Sequence, residues 1–444
     1  MQIRTTPIAP DASTGTVLIV AGTRPEIIKQ APLMRALQRA DDFRPYLMST
    51  GQHREMLRQM LDVFDLTLDF DLDLMRPGQS LDAIAAAVLA GTGSVLDRVR
   101  PQAVVVQGDT TSAMAAAMSA FHRRIPVVHL EAGLRTGDRY SPFPEEVNRR
   151  LITQLASLHL APTEPARRNL EAEGIAGSAI VVTGNTVVDA LHLVRAAGLP
   201  YRGPFARPLA ALDADRSARV LVVTAHRRES WERGLSGIAR AVVALVDRYP
   251  DLQVVFPLHR NAVVRAAIRS VVQQRERILL VDPIEYGSFV RLLQRADLIL
   301  TDSGGIQEEG VALGKPTLVL RENTERGEAL AAGGARLVGT RPGRILRETS
   351  RLLDDPVAYR TMAGCASPFG DGRAASRCVD ALRRLLDASS SGATRPAGVW
   401  AVPGVPAQPE VVARPAVPAQ PRVVAPSAAP VQSGVPAGLA VAAD

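Results

Sequence analysis

From Thr16 onward, short β-branched apolar runs alternate with longer segments whose apolar residues recur every three or four positions. The runs predict strands at Val17–Ala21, Ala103–Gln107, Val127–Leu130, Ala179–Val182, Val220–Thr224, Gln253–Pro257, Ile278–Val281, Leu298–Thr301 and Thr317–Leu320. The spaced segments, such as Pro25–Gln38 and Gly234–Tyr249, predict helices with one apolar face. Strands that are apolar on both faces and separated by helices imply parallel sheets covered on both sides. The fold class is α/β.

The pattern restarts near Leu221, after a Pro/Gly/Arg-rich bridge from Leu199 to Ser217 that has no clear period. Two similar domains are expected, over residues 15–190 and 191–370, with the bridge near their hinge. Asp371–Ala388 reads as one more amphipathic helix, returning to the first half. After Ser389 the chain turns to Ala, Pro and Val, and Val405–Ala413 recurs as Val417–Ala425. Proline at that density forbids helix and sheet interior, so 389–444 is expected to be a disordered tail without a role in the chemistry.

The chain has 444 residues, enough for sizeable cores, and its two cysteines, Cys365 and Cys378, exclude a disulfide framework and a cysteine zinc site. A net charge of +7 invites a nucleic-acid reading, but 50 of the 52 basic residues are Arg, only Lys29 and Lys315 being Lys. Such a chain-wide bias is more simply a coding bias, and no basic patch is interleaved with aromatics, so no nucleic-acid partner is expected. The apolar stretch Ala83–Leu96 is shorter than the ~20 residues of a membrane helix and carries Gly91 and Gly93. Met1–Thr14 has no apolar core of a signal peptide. A soluble, cytoplasmic protein is expected.

Candidate chemistry gathers at strand ends. Gly22-Thr-Arg-Pro-Glu26 pairs a capping box (Thr23, Glu26) with the cations Arg24 and Lys29, which reads either as a phosphate site or as a well-capped helix. Asp109, Glu131 and Glu145 each follow a strand or open a helix, where ligands of open parallel sheets bind. Carboxylates there can transfer protons; N-capping is the plainer role for Asp109 and Glu145, less so for Glu131. His226-Arg-Arg-Glu229 places an imidazole among cations, and Asp302-Ser303-Gly304-Gly305 opens a helix that a diphosphate can approach, with Glu309 one turn in for a ribose diol. The dinucleotide fingerprint is missing from the first turn, and Gly310-Val-Ala-Leu-Gly-Lys-Pro-Thr317 is a residue short of a P-loop and precedes a strand. No histidine pair has metal-ligand spacing. Neither a metal nor any other cofactor is expected.

Taken in order, Gly22–Glu26, Thr50-Gly-Gln-His-Arg-Glu-Met-Leu57, Gly108-Asp-Thr-Thr111, Glu131-Ala-Gly-Leu-Arg-Thr136, Gly184-Asn-Thr186, His226–Glu229, Asp302–Glu309 and Thr324-Glu-Arg326 resemble the non-hydrolysing UDP-N-acetylglucosamine 2-epimerase family. The resemblance spans about Val17 to Leu386. It implies two Rossmann-like, doubly wound domains in a glycosyltransferase-B-like arrangement, an active site in the cleft between them, and a homodimer. It implies reversible epimerisation at C2 of a UDP-sugar by elimination and re-addition of UDP, supplying N-acetylmannosamine-type sugars for surface polysaccharide. On the matching positions it implies proton transfer by Asp109, Glu131 and Glu145, with His226 among the catalytic groups. Arg24, Lys29, Asp109, Glu131 and His226 would contact substrate, and Ile284, Phe289, Ser303, Gly304, Gly305, Glu309 and Arg326 would hold the nucleotide. Ile284 stands where the family often has Gln, so its contact would be through backbone. A regulatory site taking the UDP-sugar itself as activator is implied at Gln52, His53, Arg76 and Gln79. The alternatives are a relative acting on another UDP-sugar, a retaining glycosyltransferase of the same fold, and a nucleotide-sugar sensor.

Overall fold

The computed structural model describes residues 2–3, 14–51, 54–76, 78–225, 234–273 and 275–390. Gln52, His53 and His226, and the tail from residue 391, lie outside the described residues. The first sheet holds β1 (Gln2–Ile3), β2 (Gly15–Ala21), β3 (Phe43–Ser49), β4 (Phe70–Asp71), β5 (Ala103–Gln107), β6 (Val127–Leu130), β7 (Leu158–Ala161) and β8 (Ile180–Val182). Their spatial order is β1-β4-β3-β2-β5-β6-β7-β8, parallel throughout except for the β1–β4 pair. The second holds β9 (Arg219–Thr224), β10 (Leu252–Pro257), β11 (Ile278–Val281), β12 (Leu298–Thr301), β13 (Thr317–Val319) and β14 (Ala335–Leu337), ordered β11-β10-β9-β12-β13-β14 and wholly parallel. Both sheets belong to one compact unit, Met1–Pro396.

Both faces of each sheet are covered, as the uninterrupted apolar strands require. Val17, Ile19 and Ala21 of β2 pack with Ile27 and Leu33 of helix Arg24–Gln38, whereas Leu18 and Val20 pack with Val95 and Leu96 of helix Leu81–Val99. Burial of each Leu, Ile or Val contributes about 2 kcal/mol. In the second sheet, Leu221 and Val223 face helix Gly234–Arg248, and Val220 and Val222 face helix Tyr286–Arg295. Strand order reverses at β2, which lies between β3 and β5, and at β9, which lies between β10 and β12. At such points the flanking connections part and open a crevice beyond the carboxyl ends of the strands.

The returning helix runs from Ala374 to Ser390 and packs on helices Arg24–Gln38 and Thr186–Ala197 of the first half. It begins later than Asp371 because the Asp189 carboxylate accepts from the N–H groups of Ala374 and Ala375, at 3.1 and 2.9 Å. The Leu199–Ser217 bridge, featureless in sequence, contains helix Ala206–Ala214. β3 escapes the sequence pattern because Arg44 and Pro45 interrupt it. β4 meets β3 only at Met48 and Ser49, so at Pro45 the strand is an edge, where a missing N–H is tolerated. β7 carries the buried His159 with its ring against the Thr153 and Ala179 carbonyls, and β1, β4 and β14 are too short to show a period.

Candidate active site

Four candidate side chains of the first half follow carboxyl ends of strands: Arg24 and Lys29 after β2, Asp109 after β5, Glu131 after β6. The capping box is present, with Glu26 Oε2 accepting from the N–H groups of Thr23 (2.6 Å) and Gly22 (2.9 Å). Glu26 is thus a structural acid, and its other oxygen accepts from the Thr110 hydroxyl at 2.8 Å. Lys29, one turn on and buried, is ion-paired with Glu131. Glu131 has φ +62°, a left-handed backbone that costs a non-glycine residue about 1–2 kcal/mol. Such strain, maintained by its surroundings, marks a residue whose direction matters.

Thr110, not Asp109, caps helix Thr111–His122, so the plain role for Asp109 fails. The Asp109 carboxylate is ion-paired instead with Arg149 of helix Glu145–Leu155. Arg149 also donates to the Glu131 carbonyl at 3.2 Å and lies 3.7 Å from its carboxylate. Glu145 sits in the first turn of the same helix, four residues before Arg149 and on the same face. Asp109, Glu145, Arg149 and Glu325 line one small pocket, which brings an acid of the second half to the acids of the first. Gly108 has φ +71°, and the buried His129 donates from Nε2 to its carbonyl at 2.8 Å, fixing the turn that presents Asp109.

In the second half, the chain leaves β12 through Ser303 into helix Gly304–Ala312. A side chain at Gly304 would meet the Arg326 guanidinium carbon at 3.1 Å, while space over Gly305 is open. Arg326 is 5% exposed rather than a surface charge. It donates from Nε to Glu308 at 2.7 Å, pairs with Glu325 at 2.9 Å and reaches to 3.7 Å of Glu131. Four-residue spacing puts Gly304 and Glu308 on one face and Gly305 and Glu309 on the next. On that second face Tyr286 donates its hydroxyl to Glu309 at 2.8 Å, and the Arg24 guanidinium lies 5.9 Å from the Tyr286 ring centre. The Asn185 amide closes the arrangement, donating to Glu131 at 2.9 Å and Glu308 at 2.8 Å.

Burial pushes the Glu131 carboxyl up, but Lys29, Arg326 and Arg149 outweigh it and hold the pKa at about 2. Glu308 is raised by its burial, and Glu309, buried with only partial compensation from Tyr286 and Arg24, reaches about 7. Burial opposes the charge of Arg326, yet Glu308, Glu325 and Glu131 raise its pKa.

Phe289, in helix Tyr286–Arg295, packs with Leu292 and Ile299, and the half-buried Ile284 rests on the same cluster. Arg76 and Gln79 form a self-bonded loop, Gln79 accepting from the Arg76 N–H at 2.7 Å. That loop adjoins the end of β3, where Leu74 donates to the Thr50 carbonyl at 3.2 Å. Among the described residues no group of three or more His, Cys, Asp or Glu converges as a metal site requires. A separate cavity of about 300 Å³, lined by Val194, Arg195, Leu199, Arg216 and Arg291 among others, contains none of the candidate residues.

Sequence reasoning missed Arg149 and Tyr286, and it read Asn185, Glu308 and Glu325 only as parts of motifs. Two of these had a signal. Arg149 stands four residues from Glu145, and Glu308 four from Gly304. The others are brought in by the packing of one half on the other.

Two doubly wound parallel sheets whose carboxyl ends share one charged site define the glycosyltransferase-B-like α/β class. The sequence model of the UDP-N-acetylglucosamine 2-epimerase family matches residues 35–383, and the chain belongs to that family. It is 47% identical over 370 residues to the UDP-N-acetylglucosamine 2-epimerase of Escherichia coli K12, covering 83% of this chain and 98% of that one. The crystal structure of the Neisseria meningitidis UDP-GlcNAc 2-epimerase bound to UDP-GlcNAc is similar with a TM-score of 0.78 and 41% identity, over 83% of this chain and 100% of that one. The Methanocaldococcus jannaschii UDP-GlcNAc 2-epimerase in complex with UDP-GlcNAc and UDP is similar with a TM-score of 0.70 and 30% identity, over 84% and 99%.

Proposed function

We propose that this protein interconverts UDP-N-acetylglucosamine and UDP-N-acetylmannosamine by inverting C2 of the sugar. The observation that carries the reading is the meeting of Asp109, Glu131 and Glu145 with Lys29, Arg149 and Arg326 where the two sheets' carboxyl ends converge. Its relatives of known activity add the substrate.

A plain C2–H is too weakly acidic for a carboxylate to remove. Stretching the anomeric C1–O bond gives C1 oxocarbenium character and acidifies that proton. A carboxylate takes the proton as the C1–O electrons leave with UDP, and a C1=C2 bond forms, giving 2-acetamidoglucal. In the return step a diphosphate oxygen attacks C1 and an acid protonates C2 on the opposite face. Asp109, Glu131 and Glu145 are the proton-transfer groups. Stabilising the departing diphosphate falls to Arg24, Lys29, His226, Arg326 and the Ser303–Gly305 helix start. Lys29 and Arg326, with Arg149, are the cations that make Glu131 a weak base. A diphosphate that draws on Lys29 and Arg326 raises the basicity of Glu131 when substrate is seated.

In this reading Glu309 accepts from the ribose diol, and Ile284 and Phe289 hold the nucleotide. Glu309 also sets a stability expectation. Its pKa of about 7 stands above the ordinary 4.5, so between these values the folded chain binds a proton the unfolded chain has lost. Stability from this group is therefore full below about pH 4.5 and falls as pH rises to 7, by about 3 kcal/mol. Glu309→Gln is expected to flatten that loss and to melt higher than the native chain at pH 8, while weakening UDP binding. Thermal melts across pH 5–8 check this, and parallel curves for the two proteins would remove Glu309 from the titration.

The finer family properties extend the reading. A homodimer is supported by the exposed Phe121, Val147 and Leu151 on the adjoining helices Thr111–His122 and Glu145–Leu155. A cytoplasmic setting is supported by two free cysteines. Activation by a second UDP-sugar at Gln52, His53, Arg76 and Gln79 is supported by the position of the Arg76 loop beside the end of β3. Proton NMR of UDP-N-acetylglucosamine incubated with the protein tests the activity. A mixture of gluco and manno UDP-sugars is expected; transfer of the sugar, hydrolysis alone, or an unchanged spectrum would overturn it.

A further inference from the structure

We propose that Asn185 is a positioning residue for the reaction, with its amide spanning the two halves of the molecule to direct Glu131 and to hold it apart electrostatically from Glu308. The proposal rests on the epimerase reading, in which Glu131 transfers a proton. It assigns a role to the Gly184-Asn-Thr186 motif, which the chemistry above does not use.

Every polar group of Asn185 is committed. Its backbone N–H donates to the Phe369 carbonyl at 2.7 Å, and its Oδ1 caps helix Thr186–Ala197 by accepting from the Val187 N–H at 3.1 Å. That cap turns Nδ2 towards the cleft, where one hydrogen goes to Glu131 and the other to Glu308. The orientation of the amide is fixed from both ends, because carboxylates accept and a backbone N–H donates. Asn185 is 3% exposed, so water has little access to replace these bonds.

The arrangement matters because two buried acids face one another across this amide. Glu131 stands beside Lys29 of helix Arg24–Gln38, Arg149 of helix Glu145–Leu155 and Arg326 ahead of helix Gly327–Ala331, and Arg149 is shared with Asp109. Glu308 of helix Gly304–Ala312 has Arg326. An amide between the two carboxylates supplies each with a donor and adds no charge. It favours the ionised form of Glu131 and fixes its free lone pairs in direction. A carboxylate at the same place would repel both acids.

Cap-preserving variants separate this role from mere support of the helix, since Asp and Ser cap helices about as well as Asn. Asn185→Asp keeps the cap but sets a third carboxylate against Glu131 and Glu308. The acid limb of its kcat profile is expected to move up by about one pH unit. Asn185→Ser keeps the cap and removes the bridge. It is expected to lower kcat about tenfold, with a melting temperature near that of the native chain and a smaller upward move of the same limb. Should Asn185→Asp fail to fold, Asn185→Ser alone decides. An unmoved acid limb with kcat within twofold of native, in a native chain that epimerises its substrate, would overturn this proposal and leave the function standing. A native chain inert towards UDP-N-acetylglucosamine would overturn both.

Discussion

Asp109→Asn and Glu131→Gln are each expected to lower kcat by about 10²-fold or more, the usual scale for lost acid–base catalysis. The two variants differ in what they leave behind. Asp109→Asn removes one partner of Arg149, which still donates to the Glu131 carbonyl, so the fold is expected to melt almost as the native chain does. Glu131→Gln leaves Lys29 buried without its carboxylate and is expected to melt lower as well. Glu145→Gln, at a half-buried position in the same pocket, completes the set. Steady-state kinetics beside thermal melts read the two effects apart. Near-native turnover in all three variants would remove these acids from the chemistry.

Arg326→Ala is expected to lose both activity and stability, for different reasons. If the guanidinium acts on charge developing on the departing diphosphate, kcat and kcat/KM fall together. Removing it also leaves the buried Glu308 without its cation, at a cost of about 3–5 kcal/mol, whereas Glu325 keeps Arg321 at 2.9 Å. Arg326→Ala combined with Glu308→Gln is expected to regain much of the melting temperature without regaining turnover. Arg326→Lys restores charge but only partial rate, because a guanidinium grips two phosphate oxygens where an ammonium is a point charge. Recovery of turnover in the double variant would mean that Arg326 serves only the fold. A rise in KM with kcat unchanged would assign it to uniform substrate binding.

The strands that carry the site were legible because β2, β5, β6, β9 and β12 are central and apolar on both faces. Their carboxyl ends followed directly, and with them Arg24, Asp109, Glu131 and Ser303. β3 was hidden by Pro45 and β7 by a histidine whose burial is satisfied by the Thr153 and Ala179 carbonyls. The balance of surface and buried charge was hidden for a similar reason. Of three acids near Arg326 in sequence, Glu322, Glu325 and Glu328, only Glu325 pairs with it. Glu328 accepts instead from Thr163 of the first half. The partners that count, Glu308 and Glu131, come from other elements, and no local spacing specifies them.

Epimerisation by this route requires removal of the C2 proton as C1–O breaks, and its return on the opposite face. Incubation with UDP-N-acetylglucosamine in deuterated water measures this directly. Deuterium is expected at C2 of the UDP-N-acetylmannosamine formed, and in time at C2 of the recovered substrate, with 2-acetamidoglucal and UDP detectable as the separated intermediates. Epimer formed with protium retained at C2 would contradict the account.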